Sequence, residues 1–146
     1  MESIDKLKKA LEQGYLLHGS PHFISEDLEP RQSSDSAKTS GNQKALFATN
    51  HLVIAVWKAV AHKLQADYNT VGWSWDDDGE KILYAENAKL GNGYVYLLSK
   101  EAFQKASDDD ADHFSCTPIT PIQTISVTPQ TLYQLQKQVG FQIDIR

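Results

Sequence analysis

The sequence has little that could cross-link the chain or hold a metal ion. Cys116 is the single cysteine among 146 residues, which excludes an internal disulfide and every zinc site built from cysteine pairs. No histidine is followed by a glutamate, as the His-Glu-x-x-His zinc motif requires. We therefore predict no metal site in this protein.

Long apolar runs and an excess of positive charge are also missing. The longest apolar stretch, Leu52–Trp57, is far shorter than the roughly 20 residues that span a bilayer. The N-terminus lacks the basic start and apolar core of a signal peptide. With 14 Lys and Arg against 19 Asp and Glu, the net charge is -5, whereas a general nucleic-acid binder usually carries a basic footprint. The expected protein is soluble and cytoplasmic, with no membrane partner and no general nucleic-acid binding.

What is present fits a globular domain. Hydrophobic residues make up 40% of the chain and charged residues 23%, which is near the globular average. Residues 1–146 are long enough for one domain with a sizeable core. The acidic run Asp76–Gly79 suggests a calcium loop, but Ala85 stands where an EF-hand needs its bidentate glutamate. We therefore predict a solvated acidic turn there.

Hydrophobic periodicity predicts three helices, each with its own boundary signals. They run from the N-cap Ser3 to Gly14, from Thr49 or Asn50 to about Gln65, and from the N-cap Thr128 to Gly140. The second helix is apolar nearly all round, so it should be central and covered on most sides.

Short apolar or alternating runs predict six or seven strands. The predicted strands are residues 15–19, 44–49, 81–85, 93–99, 118–127 (as an edge strand) and 141–145. The predicted turns and loops are a mobile polar loop at 30–43, a hairpin tip or loop at 71–81, a hairpin turn at 91–93 and an acidic loop at 108–112. No helix separates the strands after residue 80, so the predicted fold is α+β: a single domain of two packed small antiparallel-rich sheets with about three helices.

The stretch His18–Ser20 combines groups that suit a ligand site. A histidine ends an apolar strand and a glycine follows at once. Burying an imidazole costs free energy unless its nitrogens find partners, and a glycine lets a ligand approach the backbone closely. Such a site would bond a flat amide through the backbone and a hydroxyl through the imidazole. A strand-end histidine that caps a turn explains the same residues.

Two blocks of the sequence match a known pattern. Residues Tyr15–Ser20 read YLLHGS, and residues Ala45–Thr49 read ALFAT and precede the apolar helix. The first block resembles the apolar-apolar-x-His-Gly-Ser/Thr strand of the ADP-ribosyltransferase superfamily, in its diphtheria-toxin and poly-ADP-ribose polymerase branch. The second resembles a strand of the polymerases, and small bacterial members have a similar length. The resemblance spans Tyr15 to Trp57 and implies an ADP-ribosyltransferase-like fold.

The resemblance implies a site that takes NAD as a substrate. His18 would bond a ribose hydroxyl, and the backbone of Gly19 would bond the nicotinamide carboxamide beside Ser20. Trp57 would replace the tyrosine that stacks on the nicotinamide ring. Together with Phe47, these residues are expected to line one cleft.

The sequence departs from the superfamily at two places. Ile54 stands where the polymerases place a serine hydroxyl for the carboxamide. No acid occurs in residues 114–120, where the superfamily supplies a glutamate on a late strand, and Asp112 is the nearest one, with Asp108–Asp110 just upstream. Either one of these aspartates substitutes, which makes His18 and Asp112 the candidate catalytic residues, or the domain binds without transferring.

The predicted function is that of an NAD-binding ADP-ribosyltransferase-like protein, which breaks the nicotinamide–ribose bond if it is active. Two alternatives stay open: a catalytically degenerate domain that binds a nucleotide or a protein, and an RNA 2′-phosphotransferase-like enzyme. The phosphotransferases need several arginines, and this sequence has Arg31 and Arg146 alone. The acceptor stays open, because a protein, a nucleic acid or a small molecule would fit equally well.

Overall fold

The computed structural model describes residues 2–32, 44–64, 71–76, 78–105 and 112–146. Its α-helices are α1 (Glu2–Glu12), α2 (Leu52–Val60) and α3 (Pro129–Val139). Its strands are β1 (Leu16–Ser20), β2 (Arg31–Gln32), β3 (Lys44–Thr49), β4 (Ala61–Lys63), β5 (Val71–Trp75), β6 (Lys81–Ala85), β7 (Ala88–Leu90), β8 (Gly93–Leu98), β9 (Gln104–Lys105), β10 (Asp112–Ser115), β11 (Gln123–Val127) and β12 (Gln142–Ile145). None of the described helices is long and apolar enough to cross a membrane.

The described strands form one large sheet and two small ones. The large sheet has seven strands in the order β11-β8-β1-β3-β10-β9, with β2 also paired to β3, and all of its pairs are antiparallel. β12 runs parallel to β6, which also pairs with β5, and β4 pairs with β7. The α+β class is confirmed, although the strands divide between one large and two small sheets rather than between two small ones.

Helix α2 lies in the larger of two hydrophobic clusters. Seven of its nine residues are buried, and they share this main cluster with side chains of α1, α3, β1, β6, β8 and β11. A second cluster covers the opposite face of the large sheet, with Leu16, Tyr96 and Leu98 among its members. The large sheet is therefore packed on both faces, with α2 on one of them.

Two glycines allow α2 to lie directly on the large sheet. A Cβ atom built at Gly19 in β1 would lie 1.9 Å from the carbonyl oxygen of Ala55. A Cβ atom built at Gly93 in β8 would lie 1.9 Å from the carbonyl oxygen of Ala59. Both oxygens belong to helix backbone, which cannot turn aside as a side chain can. Any larger residue at these positions would push the helix off the sheet.

Helix boundaries follow the predicted signals at three of the four ends of α1 and α3. Gly14 and Gly140 have positive φ angles of 91° and 84°, as expected for residues that end helices. Thr128 caps α3 through a capping box. The prediction of Ser3 as an N-cap is wrong, because α1 begins at Glu2. The Ser3 hydroxyl instead donates to the carbonyl oxygen of Ser126 at 3.0 Å.

Helix α2 is shorter than predicted. Its N-cap is His51, which accepts a hydrogen bond from the backbone N–H of Ile54, rather than Thr49 or Asn50. It ends at Val60 instead of running to about Gln65, because the next three residues form β4 and pair with β7. Tertiary pairing here overrides the continuing apolar pattern.

Two predicted connections have a different outcome, and two more lie mostly outside the described residues. Residues 71–75 are a strand, β5, whose alternate side chains pack on the main cluster, so the predicted loop is limited to the turn before β6. The residues at 91–93 do not form a hairpin turn, because β7 pairs with β4 while β8 pairs with β1 and β11. Most of the predicted loop at 30–43 and most of the acidic loop at 108–112 lie outside the described residues.

The contact at Gly19 can be tested by adding one methyl group. We expect Gly19→Ala to lower the free energy of unfolding by about 2–3 kcal/mol or more, because the methyl overlaps helix backbone. Chemical denaturation measures this change. Gly72→Ala is the control: its added Cβ meets the ring of Tyr84, an exposed side chain that can move away. A Gly19→Ala protein as stable as the wild type would contradict the packing described here.

Candidate functional site

His18 lies in the central part of the large sheet, on the face opposite α2. Its neighbours Leu17 and Gly19 face the helix, and side chains alternate along a strand. Across the ladder His18 pairs with Tyr96 of β8, and their ring centroids are 6.2 Å apart. The half-buried imidazole therefore lies with the second hydrophobic cluster.

The imidazole of His18 reaches the backbone of β3 where β1 and β3 separate. Leu17 and Thr49 are the one pair recorded between the described residues of these two strands. Beyond that pair, Nδ1 of His18 lies 2.6 Å from the carbonyl oxygen of Phe47. A carbonyl oxygen can only accept, so Nδ1 carries the hydrogen, and in the neutral ring Nε2 carries the lone pair. The contact with the Phe47 carbonyl thus fixes the orientation of the His18 ring.

The chain after β1 folds back over the same face and is held by two hydroxyl groups. Ser20 is buried, and its Oγ accepts a hydrogen bond from the backbone N–H of His22 at 3.1 Å. The Tyr96 hydroxyl donates to the carbonyl oxygen of His22 at 2.9 Å and accepts from the N–H of Ile24 at 2.7 Å. Residues 22–24 are therefore tied to β8 close to His18.

An aromatic pair borders this region. Phe23 is 62% exposed, and its ring meets that of Tyr94 edge-on at 5.3 Å between centroids. Tyr94 pairs with Ser20 in the β1–β8 ladder and packs against the second cluster. The face that holds His18 therefore carries an accessible aromatic ring close to the end of β1.

Trp57 is not part of this face. Its side chain is fully buried in the main cluster, and its Nε1 donates to the carbonyl oxygen of Gly72 at 2.9 Å. The expectation that His18 and Trp57 line one cleft is wrong, because the sheet separates them. This outcome counts against the resemblance from which the expectation came. The indole is part of the hydrophobic core, and its hydrogen bond to Gly72 connects α2 to β5. Ile54 is buried in the same cluster.

Gly19 lies beside His18 in β1, and Phe47 reaches His18 through its backbone rather than its ring. The missing side chain of Gly19 makes room for α2, a structural need that the sequence pattern does not distinguish from a ligand contact. Phe47 approaches His18 with its carbonyl oxygen, whereas its ring lies 6.4 Å from that of Phe114 on β10. Leu46 and Ala48 belong to the second cluster, so by alternation the Phe47 side chain points to the other face.

Asp112 lies two strands away from His18. It begins β10, where its backbone is in register with Thr49, the residue of β3 that pairs with Leu17 of β1. The predicted catalytic pair is therefore carried by strands on either side of β3, and Asp112 stands in the row of Leu17, which faces α2, rather than in the row of His18. No group of three or more potential metal-ligating residues occurs in the described part of the chain.

The sequence reasoning missed His113. This histidine of β10 is 3% exposed, and within the described part of the chain neither of its ring nitrogens has a hydrogen-bond partner. Leaving a buried polar group unpaired costs about 1–3 kcal/mol. Strand pairing places His113 opposite Ala48, and no local sequence signal predicts that pairing.

The buried hydroxyl of Tyr96 makes stability depend on alkaline pH. Burial raises the pKa of Tyr96 above its ordinary value of 10.0; the Ile24 hydrogen bond lowers it in part, and Tyr94 raises it further. As the pH rises above about 10, the unfolded chain loses this proton first, so unfolding releases a proton and the free energy of unfolding falls.

We expect Tyr96→Phe to remove this part of the alkaline loss of stability. Near pH 7 the same change should cost about 1–2 kcal/mol, because the groups of His22 and Ile24 lose their partner. Urea denaturation of both proteins near pH 7 and between about pH 10 and 11 gives the comparison. Tyr133→Phe, at an exposed site, is the control. Equal alkaline slopes for wild type and Tyr96→Phe would refute the assignment.

No family model matches the chain, and no curated protein or solved structure matches it either.

Proposed function

We propose that this protein binds NAD, as an ADP-ribosyltransferase-like protein, on the face of the large sheet that carries His18. The observation that carries the proposal is the placement of this residue. Its imidazole is held by the Phe47 carbonyl at the point where β1 and β3 separate. An imidazole held in one orientation is a suitable hydrogen-bonding group for a ribose hydroxyl, which can both donate and accept.

The nicotinamide ring needs an aromatic or apolar surface, and Trp57 cannot supply it from the core. We assign this role to Phe23, which is exposed and already contacts Tyr94. It lies on the face of His18, between His22 and Ile24, whose backbone groups are bonded by Ser20 and Tyr96. Stacking on such a ring contributes about 0.5–1.5 kcal/mol.

Transfer would break the bond between the ribose C1′ and the nicotinamide nitrogen. The bonding electron pair leaves with nicotinamide, while an oxygen of water or of another acceptor bonds C1′ and loses its proton. The transition state carries positive charge on the ribose, so a nearby carboxylate lowers the barrier. The resemblance offers Asp112 for this role, because the superfamily carries an acid near this point of the chain. Its backbone stands in the row of Leu17, which faces α2, so the proposal of NAD binding does not depend on it.

Titration calorimetry with NAD tests the proposal directly. We expect His18→Ala to weaken binding by about 1–3 kcal/mol, because the ligand loses a hydrogen bond and keeps an unpaired group. Phe23→Ala should weaken it by about 0.5–1.5 kcal/mol. His62→Ala is the matched control: this imidazole bonds the Asn92 carbonyl next to the β4–β7 sheet and should leave the affinity unchanged.

Two outcomes would overturn the proposal. If wild-type protein neither binds NAD at millimolar concentration nor releases nicotinamide, the alternative of a degenerate domain with another ligand takes its place. If His18→Ala and His62→Ala bind NAD as tightly as the wild type, NAD binds elsewhere on the protein.

Release of nicotinamide separates binding from catalysis. If Asp112 stabilises the charged ribose, Asp112→Asn should lower the rate of nicotinamide release by about 10²–10³. Its affinity for NAD should stay near that of the wild type, because the contact acts mainly in the transition state. A variant with the wild-type rate would remove Asp112 from the reaction and leave the binding proposal intact.

A further inference from the structure

His113 is a buried imidazole that the described contacts do not explain. Both of its ring nitrogens are closed to solvent and lack a hydrogen-bond partner among the described residues. Ser115, two residues along the same strand and also buried, has its hydroxyl bonded to the carbonyl oxygen of Thr117. Buried polar side chains of folded proteins are nearly always paired, so the orphaned imidazole needs an explanation.

The position of His113 connects it to His18. His113 lies directly opposite Ala48 of β3, and opposite residues of an antiparallel pair point to the same face. Ala48 belongs to the second hydrophobic cluster, which lies on the face of His18. Leu17 of β1 pairs with Thr49 of β3. The next residues along the two antiparallel strands, His18 and Ala48, are therefore neighbours. The three residues therefore form a row across β1, β3 and β10.

The row has an imidazole on each side of a methyl group. His18 and His113 are carried by strands on either side of β3. Ala48 between them has the smallest side chain that a strand can carry apart from glycine.

We propose that His113 is a second ligand-binding imidazole of the His18 site and bonds a hydroxyl of the same sugar. The proposal rests on the function proposed above and names a further contact for it. A hydroxyl both donates and accepts, so it pairs with a neutral imidazole in either tautomer. Because both nitrogens are closed to solvent, the ligand must open this face locally to reach His113. In exchange it pairs a group that is otherwise buried without a partner among the described residues.

The proposal makes stability and affinity change in opposite directions. Replacing His113 by an apolar side chain removes the orphaned polar atoms, so we expect His113→Phe or His113→Leu to raise the melting temperature by about 3 °C. The same variants should bind NAD about tenfold more weakly. The amide of His113→Gln keeps a donor and an acceptor, and it should recover part of the affinity. Two apolar variants of different shape are used so that a poor fit of one ring does not decide the result.

Nuclear magnetic resonance of protein labelled at the histidine rings identifies the contact. NAD and nicotinamide riboside, which both carry ribose hydroxyls, should shift the ring signals of His18 and His113. Free nicotinamide, which has no hydroxyl, should leave the His113 signal in place. The variants assign the two signals, and the His62 signal is the internal control.

The outcomes separate this inference from the function on which it rests. If NAD shifts the His18 signal but not the His113 signal, His113 is not in the site, while the proposed function stands. If both apolar variants at position 113 lose stability and keep the wild-type affinity, His113 has a structural role and the inference is wrong. If NAD shifts neither signal and calorimetry detects no binding, both proposals fail together.

Discussion

The close contact between α2 and the large sheet is the constraint on which the rest of the structure depends. Backbone oxygens of the helix lie where Cβ atoms would be at Gly19 and Gly93. At this distance the helix fills the space above β1 and β8, and the apolar residues around its circumference become buried. That face of β1 therefore has no room for a ligand. Any ligand near the His18–Ser20 stretch must use the opposite face.

Because side chains alternate along β1, the same contact decides which face of the sheet carries His18. With Leu17 and Gly19 facing the helix, His18 must point to the other side. There the separation of β1 from β3 leaves a carbonyl oxygen of Phe47 that the imidazole bonds. The backbone of one strand thus orients a side chain of another, and a break in the ladder produces a fixed hydrogen-bonding group. Trp57, on the helix side of the sheet, contributes to stability through its contact with Gly72.

On the face opposite α2, polar groups lie among apolar side chains, and they differ in whether they have hydrogen-bond partners. The Tyr96 hydroxyl both donates and accepts hydrogen bonds, and Ser20 is paired to the following turn. His113, in the same sheet, is buried without a described partner. A packed region that retains one unsatisfied group gives up stability at that position. Proteins commonly accept such a cost where the group serves binding.

Local sequence signals by themselves determined most elements of this protein. Strand β3 was predicted with its observed bounds, and glycine and capping signals located the ends of α3, because these depend on residues close together in the chain. They also identified His18–Ser20 as a candidate site. Only the tertiary structure decided the end of α2, where β4 pairs with β7, and the faces to which His18 and Trp57 belong. It also placed His113 beside Ala48. Strand pairing and the side of a sheet that a helix covers arise from contacts between residues distant in the chain, and a local pattern contains no information about them.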